Sequence, residues 1–296
     1  MQTLTVFTPT YNRKDLLIRG YEALKRQTNK DFVWMVIDDG STDETEQLME
    51  EICKEDSGFE IQYFKKKNGG LHTGYNMAIE HAKTELMVCV DSDDYMPDDA
   101  VETILSFWKK YGSDKYAGIV GLDYDLNGNR IGDLLPQQKS VNLIDLLTGK
   151  YPIFNGDRTN VIRTELYKKA APMKTFEGEK NFNPHYMHLK ISKEYDFLVL
   201  NKNLKFVEYQ EGGMSNSMWK QYYNSPNSFA ETRKLYLSFD HTSFLFKMKH
   251  SIHYVSSCIL AGRWKDGILE APRKGYALMT YGFGMVLSVV VWWKGK

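Results

Sequence analysis

Apolar and polar positions fall into alternating blocks along the first hundred residues. Short apolar runs rich in β-branched side chains occupy residues 4–8, 32–37, 61–64 and 86–90. The first ends at Pro9 and the second is halted by Asp38-Asp39-Gly40-Ser41. Runs of this length, bounded by polar residues, predict buried strands. Between them, residues 14–27, 42–53 and 72–81 carry apolar side chains at helical spacing. The second of these has acidic residues in its first turns, which suits the helix dipole. Strand–helix alternation at this spacing predicts an α/β fold, a mostly parallel sheet covered by helices on both faces.

The pattern changes after residue 115. A strand is expected over 117–124, followed by an Asn127-Gly128-Asn129 turn. The next stretch reads as irregular, punctuated by Pro136, Pro152 and Gly156, with helical islands at 141–147 and 164–170. From about residue 228 the chain becomes aromatic, basic and helical. These shifts predict a core domain over 1–225, with a nucleotide-binding half (1–115) and an acceptor half (116–225), and a helical tail over 226–296. No internal repeat or low-complexity segment interrupts this order.

Charge and cysteine usage narrow the function classes. The 38 Lys and Arg balance 38 Asp and Glu, so no overall field favours nucleic acid as a partner. Cys53, Cys89 and Cys258 lie far apart, without the pairing of a disulfide framework or structural zinc, which fits a reducing compartment. Met1 runs directly into Leu4-Thr5-Val6-Phe7, so no signal peptide is expected and the cytoplasm is the expected compartment.

Three polar clusters follow predicted strands: Thr8-Pro9-Thr10-Tyr11-Asn12-Arg13, Asp38-Asp39-Gly40-Ser41-Thr42-Asp43 and Asp91-Ser92-Asp93-Asp94. Parallel strands place their C-terminal ends on one edge, where open α/β sheets bind ligands. Carboxylates concentrated there repel each other unless something compensates them. A divalent metal bridging to a phosphorylated ligand does so, and hard oxygen donors suit Mg2+ or Mn2+. An acidic loop capping the helix that starts near Pro97 is the plainer alternative. A tyrosine face for a base, a carboxylate for a ring N–H and a metal-binding turn together suit a nucleoside diphosphate. Neither a dinucleotide fingerprint nor a P-loop is present.

Val6-Phe7-Thr8-Pro9-Thr10-Tyr11-Asn12, Val36-Ile37-Asp38-Asp39-Gly40-Ser41-Thr42-Asp43, Asn68-Gly69-Gly70 and Asp91-Ser92-Asp93-Asp94, in this order, resemble the family-2 glycosyltransferases. The resemblance is strong over residues 1–120 and looser over 120–225. It implies the GT-A nucleotide-sugar-binding fold. It also implies that Thr8, Pro9, Tyr11 and one of Asp38 or Asp39 hold the nucleoside, most often uridine. Asn68 and Gly70 would let the backbone approach the nucleotide closely. Asp91 and Asp93 match the family's Asp-x-Asp, with Asp93 the direct Mn2+ or Mg2+ ligand, Asp91 nearer the sugar or ribose, and Ser92 between them. The family often carries an arginine before the asparagine that is here Asn76. Tyr75 stands there instead, and His72 is the candidate replacement for its phosphate contact, or else a helix-surface histidine.

An inverting transferase needs a general base for the acceptor hydroxyl. The resemblance points to the segment containing Glu177, Glu179 and His185. Glu179 is preferred; His185 stands where related sequences carry an acid, and imidazole can take the role near neutral pH. Asp157, within Asn155-Gly156-Asp157-Arg158, is a lesser candidate. Tyr209 to Asn216 resembles a stretch that closes over the donor, with Ser215 and Asn216 as diphosphate contacts.

The tail interleaves basic and aromatic residues, as in Phe244-Leu245-Phe246-Lys247-Met248-Lys249 and Arg263-Trp264-Lys265. Residues 277–293 are almost uncharged and end in Trp292-Trp293-Lys294. This suits a peripheral or monotopic anchor on the inner face of the cell membrane in preference to a span. The expected function is therefore transfer from a nucleotide-sugar, of the UDP class, to a saccharide acceptor, lipid-linked, in cell-surface polysaccharide biosynthesis. A nucleotidyltransferase and a non-catalytic nucleotide-sugar-binding protein are the rivals. Assembly into a homo-oligomer stays open.

Overall fold

A computed structural model describes residues 2–153, 156–210 and 217–296. Contacts divide the chain into two compact units. The first comprises Met1–Gly69, Thr73–Pro172 and Met187–Gln210; the second comprises Gly70–His72, Met173–Tyr186 and Glu211–Lys296.

The first unit is built on β1 (Leu4–Thr10), α1 (Lys14–Lys25), β2 (Phe32–Asp38), α2 (Thr45–Ile52), β3 (Glu60–Lys65), α3 (Leu71–His81), β4 (Leu86–Cys89) and α4 (Ala100–Tyr111). These elements match the pattern of apolar runs closely. They are followed by β5 (Tyr116–Asp125), β6 (Ser140–Val141), α5 (Leu143–Leu147), β7 (Arg158–Arg163), α6 (Thr164–Ala170), α7 (His185–Ser192) and β8 (Asp196–Val207). The eight strands form one sheet in the order β3-β2-β1-β4-β7-β5-β8-β6. β1 pairs in parallel with β2 and with β4, and β2 with β3, so four strands point their C-terminal ends the same way.

The stretch read as irregular contains three strands that the pattern did not disclose, the two-residue β6 among them. β7 enters the middle of the sheet antiparallel to both β4 and β5, and β8 runs parallel to β5. Leu17, Tyr21 and Leu24 of α1 and Val101, Ile104 and Trp108 of α4 bury against Val6, Trp34 and Val88 of the sheet. Burial of such side chains contributes roughly 1.5–3 kcal/mol each and holds the strand ends in place.

The second unit carries α8 (Met218–Asn224), α9 (Pro226–Leu237), α10 (Phe244–Leu260), α11 (Asp266–Leu269) and α12 (Lys274–Gly295). α12 is longer than the apolar run alone suggests and is long and apolar enough to cross a membrane by length and composition. One face is nevertheless occupied: Ala277, Thr280, Gly284, Ser288 and Val291 are buried at helical spacing. A side chain at Gly284 would meet Val255 of α10 at 2.5 Å, so the small residue permits close helix packing. The opposite face exposes Leu278, Met279, Phe283, Val286, Val289 and Trp293.

Candidate active site

The loops after β1 and β2 clasp each other. Asn12, in the left-handed region at φ 51°, donates its backbone N–H to Ser41 Oγ at 2.9 Å. Its side-chain oxygen accepts from the Thr42 N–H at 2.8 Å. Asparagine tolerates this backbone region because its short side chain can hydrogen-bond locally. Asp38 is fully buried and accepts from the Ser41 N–H and the Tyr63 hydroxyl, both at 2.7 Å. Burial and the Asp38 carboxylate push the Tyr63 phenol upward. Asp39 accepts from Lys66 Nζ at 2.5 Å and from the Gly69 N–H at 2.9 Å, while Asn68 donates to its carbonyl at 2.9 Å. Gly40, at φ 82°, admits this turn; a Cβ there would lie 2.9 Å from the Asn68 nitrogen.

Thr8 is buried and accepts from the Trp34 indole N–H at 3.1 Å. Pro9 is buried beside it, and the Tyr11 ring is 46% exposed, open to stacking. Thr10 Oγ1 and Asn68 Oδ1 are buried atoms with no hydrogen-bond partner among the described residues. Buried polar atoms usually have one.

The acidic turn after β4 is closed by the Asp94 N–H on the Asp91 carbonyl at 2.9 Å. Asp91 and Asp93 are partly exposed; Ser92 and Asp94 are buried. Arg13 pairs with Asp93 at 2.8 Å and reaches Ser92 Oγ at 3.5 Å. Arg19 holds the Asp93 carbonyl and pairs with Glu208 at 2.5 Å. Asp94 pairs with Lys205 at 2.8 Å. Burial raises the Asp94 carboxyl to about 6, with Asp91 and Asp93 adding and Lys205 opposing. The helix-capping alternative for this turn does not hold, because Asp99 at the start of α4 makes no side-chain cap bond and Asp94 is spent on Lys205.

No three His, Cys, Asp or Glu side chains gather as a metal-ligand set among the described residues. With Asp94 paired to Lys205, Asp91 and Asp93 offer two partly exposed carboxylates as hard oxygen donors on one turn. That is the one-or-two-carboxylate arrangement that Mg2+ uses when substrate phosphates and waters complete its shell, so the donor set fits such an ion.

Tyr75 is buried and stands edge-on to Phe7 at 4.8 Å, so this position belongs to the core and supplies no phosphate contact. The cations that pair with residues of these loops are instead Arg13 and Lys66 from the loops themselves, Arg19 from α1 and Lys205 from β8. Arg13 was visible within its motif but drew no role, and the other three lacked any local signal. Asp157 accepts from the Tyr209 hydroxyl at 2.5 Å. Asn155, Ser215 and Asn216 lie outside the described residues.

The remaining expected site residues belong to the second unit. Gly70 sits at φ 91°, and a Cβ there would lie 1.9 Å from the Lys180 carbonyl oxygen. His72 is buried, with its ring 6.2 Å from that of Phe182, which corrects the helix-surface alternative. The Glu179 carboxylate is buried and accepts four hydrogen bonds, from the backbone and side chain of both Asn227 and Ser228, at 2.7–2.8 Å. It thus caps α9, where Ser225 makes no side-chain cap bond. Glu177 is exposed. His185 opens α7, its N–H donating to Asn183 Oδ1 at 2.9 Å. Burial lowers its imidazole to about 4, so it is neutral at pH 7.

A family model described as glycosyl transferase family 2 matches residues 5–169. The chain belongs to this family. Among relatives of this glycosyltransferase family-2 protein, an uncharacterized glycosyltransferase from Rickettsia felis is 38% identical over 107 residues. That match takes in 36% of this chain and only 17% of the Rickettsia protein, so the chain spans about a sixth of that relative's length. The GalNAc(5)-diNAcBac-PP-undecaprenol beta-1,3-glucosyltransferase of Campylobacter jejuni is 26% identical over 206 residues, 67% of this chain and 62% of the relative. The crystal structure of S. aureus TarS 1-349 in complex with UDP-GlcNAc superposes with a TM-score of 0.66 at 18% identity. It covers 98% of this chain and 89% of that one. The shared fold agrees with the GT-A architecture expected from the motifs.

Proposed function

We propose that the protein is an inverting, metal-dependent glycosyltransferase. It moves a hexosyl group from a UDP-sugar to a saccharide acceptor, lipid-linked, in cell-surface polysaccharide assembly. The observation that carries this reading is the acidic turn: Asp91 and Asp93 stay accessible beyond β4 while the loops after β1 and β2 are clasped beside each other on the same strand ends. The TarS crystal holds UDP-GlcNAc, and the Campylobacter relative is named for a PP-undecaprenol-linked saccharide; both chemistries suit this reading.

In this reading Tyr11 stacks on the uracil, and Thr10 Oγ1 and Asn68 Oδ1 find their missing partners in the nucleoside. Asp38 shapes the loop through Ser41 and Tyr63, whereas Asp39 lies nearer the ligand. Asp93 and Asp91 would hold Mn2+ or Mg2+, and the ion would neutralise the departing diphosphate. Arg13 then exchanges its Asp93 contact for a phosphate oxygen, which a guanidinium favours.

The acceptor hydroxyl attacks the anomeric carbon, the bond to the diphosphate oxygen breaks, and the hydroxyl proton passes to a base. Glu179 is poorly suited, since all four of its bonds serve the α9 cap. Among the candidates from the sequence, His185 is neutral at pH 7 and Glu177 is exposed, so either side chain is chemically able to accept a proton. Transfer from a UDP-sugar panel to membrane extracts tests the reading. Product formation that His185→Ala or Glu177→Gln lowers at least a hundredfold supports it; nucleotide-sugar binding with neither transfer nor hydrolysis would leave the non-catalytic alternative.

The exposed apolar face of α12 suits a membrane surface. Lys294 lies over Trp219 at 5.0 Å, Lys296 over Trp292 at 4.1 Å and Lys265 over Trp264 at 5.2 Å. Such pairs match headgroup anchoring. With its other face packed on α10, the helix would lie in the interface and share the acceptor's surface.

A further inference from the structure

We propose that Lys205 is the positioning residue that sets the geometry of the acidic turn for metal and diphosphate. The inference rests on the donor-site reading above and names a residue outside every motif.

β5 and β8 run in register from Gly118/Phe197 to Gly121/Leu200, and then the pairing slips twice, to Leu122/Asn203 and Asp123/Lys205. β8 is therefore bulged between Leu200 and Lys205. Bulges re-aim side chains and recur beside functional sites. Gly121 permits this one: a Cβ there would lie 2.3 Å from Leu204 Cδ1. Beyond the bulge, Lys205 Nζ stands 2.8 Å from Asp94 Oδ2 and 3.9 Å from Asp123 Oδ2. The side chains are 12%, 5% and 1% exposed, respectively.

One ammonium thus serves two buried carboxylates. Asp123 also accepts from the Thr159 hydroxyl at 2.5 Å through its other oxygen, so it has a second tether. Asp94 is the member that belongs to the turn. Its Oδ1 accepts from the Glu208 N–H at 3.3 Å, and its neighbour Tyr95 exchanges backbone hydrogen bonds with Phe206 at 2.8 and 3.1 Å. The last residue of the turn is fastened to the end of β8, and Asp91 and Asp93 project from a fixed base. Without the Lys205 ammonium, the buried Asp94 carboxylate loses the cation it pairs with among the described residues, and an uncompensated buried charge is costly. Asp94 then leaves its place against the end of β8, and the backbone that carries Asp93 shifts with it.

The test titrates Mn2+ into the full chain with saturating UDP, and uridine separately without metal. Lys205→Met should raise the Mn2+ concentration at half-saturation at least tenfold while uridine affinity stays within twofold. Asp94→Asn should reproduce this, Lys205→Arg should recover part of it, and Asp123→Asn should leave it unchanged. Half-saturation within twofold of wild type in a folded Lys205→Met or Asp94→Asn protein would overturn the proposal. So would a parallel loss of uridine and Mn2+ affinity, which marks a merely structural role. Absence of metal-dependent UDP binding in the wild type would remove the donor reading itself, and the inference with it.

Discussion

Replacing Glu179 with glutamine separates a structural carboxylate from a catalytic one. The carboxylate accepts from the N–H groups of Asn227 and Ser228 and from both side chains. These are the second and third residues of α9, where helix N–H groups lack intrahelical partners. Glutamine keeps one acceptor oxygen but turns an NH2 toward two donors. The Ser228 hydroxyl can rotate and accept; the buried Ser228 N–H cannot. An unsatisfied buried donor costs about 1–3 kcal/mol, and losing a negative charge at a helix N-terminus adds about 0.3–1 kcal/mol. We expect a destabilisation of about 1–4 kcal/mol, or a fall in apparent Tm of about 3–15 °C, read by thermal and urea unfolding without donor. Glu177→Gln, at an exposed site, should change stability by less than about 0.5 kcal/mol. A Glu179→Gln protein as stable as wild type, with transfer reduced more than a hundredfold, would refute the capping argument and return the base to Glu179.

Further expectations concern the loops, the helices and pH. Gly40→Ala forces φ 82° on an L side chain and presses a Cβ to 2.9 Å from the Asn68 nitrogen. It should cost about 1–3 kcal/mol in urea unfolding and weaken uridine binding in a titration. In the second unit, burial together with Arg233 and Lys249 lowers His250 to about 3 and His253 to about 4. Both lie below the ordinary value, so the unfolded chain binds protons first. Stability should hold above pH 6.5 and fall as the pH drops from 6.5 toward about 3, by on the order of a few kcal/mol, followed by tryptophan fluorescence. Phe283→Glu with Trp293→Glu, both on the exposed face of α12, should reduce flotation with anionic vesicles at least tenfold while leaving UDP binding intact; undiminished flotation would remove α12 as the anchor.

The parallel half of the sheet was legible because β1, β2 and β4 are continuous apolar runs ended by turn residues, a local signal. β7 and β8 were not. β7 carries Arg158, Asn160 and Arg163 within six residues, and its place between β4 and β5 follows from long-range pairing. β8 is interrupted by Asn201, Lys202 and Asn203 at its bulge, which breaks the alternation a strand should show. The donor loops could be located from their motifs, but the division of labour within them could not. Asp38 and Asp39 look equivalent in sequence, yet one is sealed by Tyr63 and Ser41 while the other is bridged by Lys66. Glu179 looked like a base because the family resemblance points to an acid in that segment; its partners lie 48 and 49 residues away. Lys205 reaches Asp94 across more than a hundred residues, and nothing near it in the chain announces that contact.

Calorimetric titration of UDP with and without Mn2+, on wild type and Asp93→Ala, tests the central claim most directly. The account predicts UDP binding that strengthens at least tenfold with Mn2+ and loses that gain in Asp93→Ala, while uridine binds both proteins alike. UDP binding unaffected by the metal, or equally metal-dependent in folded Asp93→Ala, would contradict it.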